Sequence, residues 1–221
     1  VSLPWWAALG AALVICAVIG LVQGSIITRI GLPSFVVTLG GLLAFQGVML
    51  KILGNGGTIP IHDDVINDLA SGNLTPAAGW IIVIALAASY GLFTWLKDGR
   101  RRASGLVAPP VSVTLLKILG VSAIGVVIVA ICNTNRGVLT PIRGMPWVVL
   151  IVLGVLIMWT ILLGRTKFGR YVYAIGGNAE AARRAGVRVS RVRTWCFVLS
   201  GFTAGLAGVI YASRLSSVST N

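Results

Sequence analysis

Six long apolar runs alternate with shorter polar intervals along the chain, at about residues 5–22, 34–53, 77–96, 111–131, 147–163 and 195–213. Each is close to the roughly 20 residues a helix needs to cross hydrocarbon. None alternates in polarity as a barrel strand does, and helices satisfy every backbone group internally in lipid. The pattern predicts an all-α, polytopic transmembrane helical bundle, with about six spans in this piece.

Small residues set the faces on which these spans meet. The first span has Ala8, Ala12, Cys16, Gly20 and Gly24 at four-residue spacing, and the last has Gly201, Gly205 and Gly208 with Ser200 and Ala204 beside them. Such faces let helix backbones approach closely, so both spans are expected inside a bundle. The junction Gly31-Leu32-Pro33-Ser34 should break helix geometry before the second span, because proline fixes its own backbone angle and restricts the residue before it. In the second span, Gln46 lies deep in the apolar run, with Thr38, Gly40 and Gly41 adding polarity and a possible kink. A buried amide needs a hydrogen bond. Gln46 is therefore either glue between helices or a contact for a polar solute crossing the membrane, and Thr38 and Gln46 are the candidate substrate-path residues.

The longest polar interval is 164–193, which holds Arg165, Lys167, Arg170, Arg183, Arg184, Arg188, Arg191 and Arg193 against one acid, Glu180. Loops on one side of the predicted bundle carry most of the Lys and Arg. The other side has Lys51, Arg136, Arg143 and Arg214, and a Gly- and Asp-rich interval, 54–76. Positive loops stay inside, so the basic side is expected to be cytoplasmic. The run Lys97-Asp98-Gly99-Arg100-Arg101-Arg102 reads as a second basic loop with a topological task. The interval 54–76 reads as a solvated outer loop that meets an external partner, and His62, Asp63 and Asp64 within it are too few for a metal site.

Composition sharpens this. Hydrophobic residues make up 57% and charged residues 10% of the 221, and the mean hydropathy is +0.95. So few charges cannot cover a water-facing surface. The net charge of +13 would suggest nucleic acid in a soluble domain, but membrane topology accounts for its clustering, and no nucleic-acid partner is expected. Cys16, Cys132 and Cys196 are scattered in or beside apolar runs and read as packing residues. The first residues, Val1-Ser2-Leu3-Pro4-Trp5-Trp6, lead straight into one span, and Ser213–Asn221 follows another. The expectation is a partial transmembrane domain over 1–221, a piece of a longer protein.

Within 164–193, Asn178-Ala179-Glu180-Ala181-Ala182-Arg183-Arg184-Ala185-Gly186 reads as one short helix. Asn178 is a good N-cap, Glu180 sits where the helix dipole favours an anion, Arg183 and Arg184 where it favours cations, and Gly186 suits the left-handed closing position. Gly176 and Gly177 allow a sharp approach. Two turns are marginal alone in water, so packing or a partner must hold them. The helix either docks a soluble protein or only anchors topology.

These residues carry a resemblance. Gly169-Arg170-Tyr171-Val172-Tyr173-Ala174-Ile175-Gly176-Gly177-Asn178, then Glu180-Ala181-Ala182-Arg183 and Gly186-Val187, is similar to the cytoplasmic loop of bacterial ABC sugar-importer permeases of the ribose, xylose and galactose type. Leu32–Gly41 and Leu199–Gly208 also resemble that family. The stretch around 97–131 most resembles the xylose-type permeases. The resemblance implies a multi-pass permease of the bacterial plasma (inner) membrane, importing xylose or a related monosaccharide. Two permease chains would form the pore, cytoplasmic ATP-binding subunits would drive it, and a periplasmic or extracellular sugar-binding protein would dock outside. Gly177, Asn178, Glu180, Ala181, Ala182, Arg183 and Gly186 would then make the ATPase contact.

No phosphate-binding Gly-x-x-x-x-Gly-Lys-[Ser/Thr] motif is present, so the chain is expected to be a transport subunit and not an enzyme, with no cofactor. All five acids fall outside the six predicted spans, whereas proton-driven carriers place such groups within the membrane. The rival readings are a self-contained secondary carrier or channel for a small polar solute, and a membrane scaffold that recruits a cytoplasmic protein.

Overall fold

The structure is a computed structural model that describes residues 4–54, 57–61, 63–105, 109–134 and 144–219. Six of its helices are long and apolar enough to cross a membrane. The chain divides into two compact units, residues 1–71 with 150–221, and residues 72–149.

In the first unit, α1 (Trp5–Ser25) continues through one wide π-helical turn, Ile26–Ile30, and stops at Gly31, where φ is 80°. Pro33 then opens α2 (Ser34–Leu53). Further along come β1 (Thr58–Pro60), α3 (Asp64–Ser71), α6 (Trp147–Arg165), α7 (Lys167–Gly177), α8 (Ala179–Arg184), α9 (Val189–Leu215) and β2 (Ser217–Ser219). The intervening α4 (Pro76–Ala103) and α5 (Val111–Asn133) form the second unit.

The pair α1 and α9 is the centre of the first unit, and the two small-residue faces meet each other. A Cβ on Gly20 would overlap the carbonyl of Phe197, and one on Gly201 would overlap the carbonyl of Cys16. A Cβ on Gly205 would lie 2.8 Å from the Cys16 Cβ, and one on Gly24 would lie 2.9 Å from the Phe197 Cβ. Rising numbers on α1 face falling numbers on α9, so the helices are antiparallel. Backbones this close gain dispersion contacts that lipid tails cannot replace. Near the same seam, Thr28 and Thr194 share a hydrogen bond of 3.0 Å, and the Thr28 hydroxyl donates to the Gly24 carbonyl at 2.7 Å. Gly208, the last of the predicted ladder, faces open space.

The Gly- and Asp-rich interval is more ordered than the polar pattern suggested. β1 pairs antiparallel with β2, placing Ile59 opposite Val218. The Asp63 carboxylate accepts from the Val65 and Ile66 amides at 3.0 and 3.3 Å, capping α3. Helix α3 then seats on the end of α9. The fully buried Ser213 hydroxyl accepts from the Ala70 amide at 2.9 Å and donates to the Asn67 carbonyl at 3.1 Å. Part of the expected solvated loop is thus a packed lid on α9, because Ala70 and Ser213 bury each other across 143 residues of sequence, which no local pattern reveals. His62 lies outside the described residues.

In the second unit, α4 and α5 pack as a hairpin. A Cβ on Gly125 would lie 3.0 Å from a Val83 methyl and one on Gly91 would lie 3.3 Å from an Ile118 methyl. Val129 is fully buried. Here two expectations are corrected. Lys97–Arg102 is not a loop but the final turns of α4, which runs on until Gly105 turns the chain with φ 66°. Asp98 accordingly lies inside that helix and is 6% exposed. It is held by a relay: Arg102 donates to the Pro109 carbonyl (2.9 Å) and to the Thr114 hydroxyl (2.8 Å), and Thr114 donates to the Asp98 carboxylate (2.9 Å). Thr114→Val removes the one hydroxyl that serves both charges. It is expected to cost about 2 kcal/mol in denaturant unfolding of the detergent-solubilised protein, with Thr114→Ser close to wild type.

Candidate functional site

The 164–193 interval is folded helix upon helix. At the end of α6, the Thr166 hydroxyl donates to the Leu162 carbonyl at 2.6 Å and accepts from the Gly169 amide at 3.2 Å, capping α7. A Cβ on Gly169 would overlap the Leu163 carbonyl, so only glycine lets the chain reverse this tightly. Sequence reasoning missed α7 as a helix. Its signal was present: Phe168, Tyr171, Val172 and Ile175 recur at helical spacing, and Phe168, Val172 and Ile175 are half-buried while Lys167 and Arg170 face out.

Helix α8 follows its caps. The Asn178 side chain accepts from the Glu180 and Ala181 amides, both at 3.0 Å. At the far end Gly186 has φ 83°, its amide reaches the Arg183 carbonyl, and the Val187 amide reaches the Ala182 carbonyl, each at 3.0 Å. This pair of bonds is the Schellman closure that glycine favours. Glu180 pairs with Arg184 at 3.3 Å and Arg183 at 3.7 Å, all well exposed, so these pairs add little. The cap matters more. Asn178→Ala is expected to destabilise α8 by about 1 kcal/mol and to speed amide hydrogen exchange at Glu180–Ala182 roughly fivefold.

The two central alanines are not equivalent. Ala182 is 6% exposed and turned into the chain, whereas Ala181 is exposed. Of the expected contact residues, Gly177, Asn178, Glu180, Ala181, Arg183 and Gly186 are open to a partner, and Ala182 is taken up by packing in this chain. No face of α8 could be chosen from residue types alone, because a two-turn alanine helix has no apolar stripe. Arg183 also lines an open cavity of about 600 Å³ that reaches Gly31, Pro33 and Ser34 at the start of α2, and Ser190 and Arg193 on α9. Helix α8 thus borders the first residues of α2.

The substrate-path candidates sit on α2, apart from this cluster. The Thr38 hydroxyl donates to the Ser34 and Phe35 carbonyls of its own helix, at 2.9 and 3.1 Å. Gln46 is exposed and has no hydrogen-bond partner among the described residues. Most of the apolar side chains of α2, including Phe35, Leu43 and Ile52, are exposed in this chain. No group of three His, Cys, Asp or Glu converges among the described residues.

Comparison with known proteins bears on the class. Residues 113–221 match the family described as branched-chain amino acid transport system / permease component. The xylose transport system permease protein XylH of Escherichia coli (strain K12) is 37% identical over 190 residues, covering 84% of this chain and 45% of the relative. Its counterpart in Haemophilus influenzae is 31% identical over 189 residues, covering 84% of this chain and 47% of the relative. The L-arabinose transport system permease protein AraH of Escherichia coli (strain K12) is 49% identical over 74 residues, 34% of this chain and 23% of that protein. The chain spans about half the length of the xylose relatives it matches. No solved structure gives a significant match.

Six helices of spanning length and composition, together with these likenesses, define a multi-pass protein of the inner membrane. The chain is similar to these sugar-transport permeases, and its likeness to the xylose relatives covers most of its own length.

Proposed function

We propose that the whole protein is the permease subunit of an ATP-driven sugar importer, taking xylose or a related pentose. Its basic side faces the cytoplasm, and α8 is the element a separate ATP-hydrolysing subunit grips. Two permease chains line the path, and a sugar-binding protein delivers the solute from outside. The observation that carries this reading is α8 itself: a helix fixed at both ends by its own caps, exposing Ala181, Glu180 and Arg183, and bordering through one cavity the start of α2. A partner that moves α8 can push directly on a membrane span, as a rigid-body switch requires. Gln46 of α2, exposed and without a hydrogen-bond partner among the described residues, supports a place for that helix along a polar path or against the second chain. In either place the amide finds the partner it lacks here.

The test is purification of the full-length protein from its membrane, followed by identification of what comes with it. Recovery of an ATPase whose hydrolysis rises when pentose-loaded binding protein is added is the expected result. An inserted, well-folded permease that transports without any ATPase would turn the reading to a self-contained carrier, with the buried Asp98 as the first group to replace.

A further inference from the structure

We propose that the junction of α7 with the start of α9 is a binding site for the headgroup of an anionic phospholipid. A pocket of about 360 Å³ opens there, lined by Phe168 and Tyr171 of α7 and by Arg188, Arg191, Val192 and Trp195 at the start of α9. The spacing explains why these side chains converge. Phe168 and Tyr171 are three residues apart, and Arg188, Arg191, Val192 and Trp195 fall at i, i+3, i+4 and i+7, so each set occupies one helix face.

The chemistry of the pocket is divided by depth. Arg188 and Arg191 stand at the polar end of α9, and neither has a carboxylate within ion-pair distance among the described residues. The chain's one acid in this region, Glu180, is already shared by Arg183 and Arg184. Two guanidinium groups side by side without a counter-ion repel each other and favour a phosphate, which takes paired N–H bonds from each. One turn further into the span lies Trp195, 54% exposed, with Tyr171 exposed across from it. Indole and phenol rings prefer the boundary between headgroup and acyl chain. A cationic rim over an aromatic floor on a membrane-spanning helix fits a lipid phosphate with its glycerol and first methylenes beneath, as basic pockets beside spans on the cytoplasmic side commonly do. A soluble protein could reach the arginines but would have to enter the bilayer to cover Trp195, which is why lipid is the occupant favoured here.

The test uses the full-length protein in nanodiscs containing phosphatidylglycerol in excess phosphatidylcholine, with bound lipid counted by native mass spectrometry after detergent exchange. Wild type is expected to retain phosphatidylglycerol over phosphatidylcholine. Arg188→Gln with Arg191→Gln should lower that retention on the order of twentyfold, since each basic residue near an anionic surface contributes roughly fivefold. Arg188→Lys with Arg191→Lys, which keeps both charges, should restore most of it and shows that the fold survives. Arg100→Gln with Arg101→Gln removes the same charge from α4 and should change little. Equal losses in the α4 and α9 doubles would mean diffuse attraction and overturn the site. Unchanged lipid retention in the α9 double, with loss of a co-purifying ATPase instead, would give the arginines to a protein partner and overturn it too.

Discussion

Gly201→Leu is expected to prevent α1 and α9 from assembling, leaving little or no monodisperse protein after detergent extraction. The position has no room for a side chain. A single Cβ there already overlaps the Cys16 carbonyl and lies 3.3 Å from the Gly20 Cα, so the obstacle is backbone and cannot rotate aside. The reciprocal change Gly20→Leu drives a side chain into the Phe197 carbonyl and should behave alike. Overpacking a core costs about 1–3 kcal/mol when side chains can yield, and a backbone obstacle sets the expected cost at or above the upper end of that range. Gly208→Leu and Gly10→Leu are the controls, since nothing lies within 4 Å of either added Cβ. Wild-type yield and unfolding midpoint for Gly201→Leu would mean that the two helices do not meet on these faces.

A charge on one or the other of two adjacent alanines should produce two different failures. Ala181→Glu places a carboxylate on the exposed face of α8, where water solvates it and both caps remain. If α8 is the proposed contact, the protein should insert and fold, while recovery of the proposed ATPase partner and the proposed uptake of pentose fall at least about tenfold, the effect of roughly 1.4 kcal/mol lost from an interface. Ala182→Glu buries the carboxylate where Ala182 is 6% exposed. Burying an unpaired charge costs several kcal/mol, so α8 itself should open, and exchange at its amides should become fast. Normal transport by Ala181→Glu would remove the coupling role from α8. Loss of transport in both variants with α8 open in both would mean that the helix tolerates no change and has not been tested as a contact.

The difference between these alanines marks where local reading ended. The caps of α8 are contacts between close neighbours in sequence, Asn178 to the Glu180 and Ala181 amides and Gly186 and Val187 back to Arg183 and Ala182. Residue types at fixed offsets therefore forecast them. Which alanine turns inward depends on how α7 and α9 pack around α8, and that is not a local matter. The same holds for Asp98. By sequence it belonged to a basic, water-facing run, but α4 continues past it and presents it to Thr114 on α5, which supplies the hydrogen bond that makes burial tolerable.

The sequence by itself determined the all-α class, the six apolar helices, the break before Ser34 and the two small-residue faces, because in lipid the backbone must bond within each segment and only small residues allow close approach. Only the tertiary structure decided that those faces pair with each other, that α3 and the β1–β2 pair close over the end of α9, and that Arg188, Arg191 and Trp195 share a pocket with α7. Those outcomes rest on contacts between residues far apart in the chain, where the direction of a side chain is fixed by its neighbour and not by its own sequence.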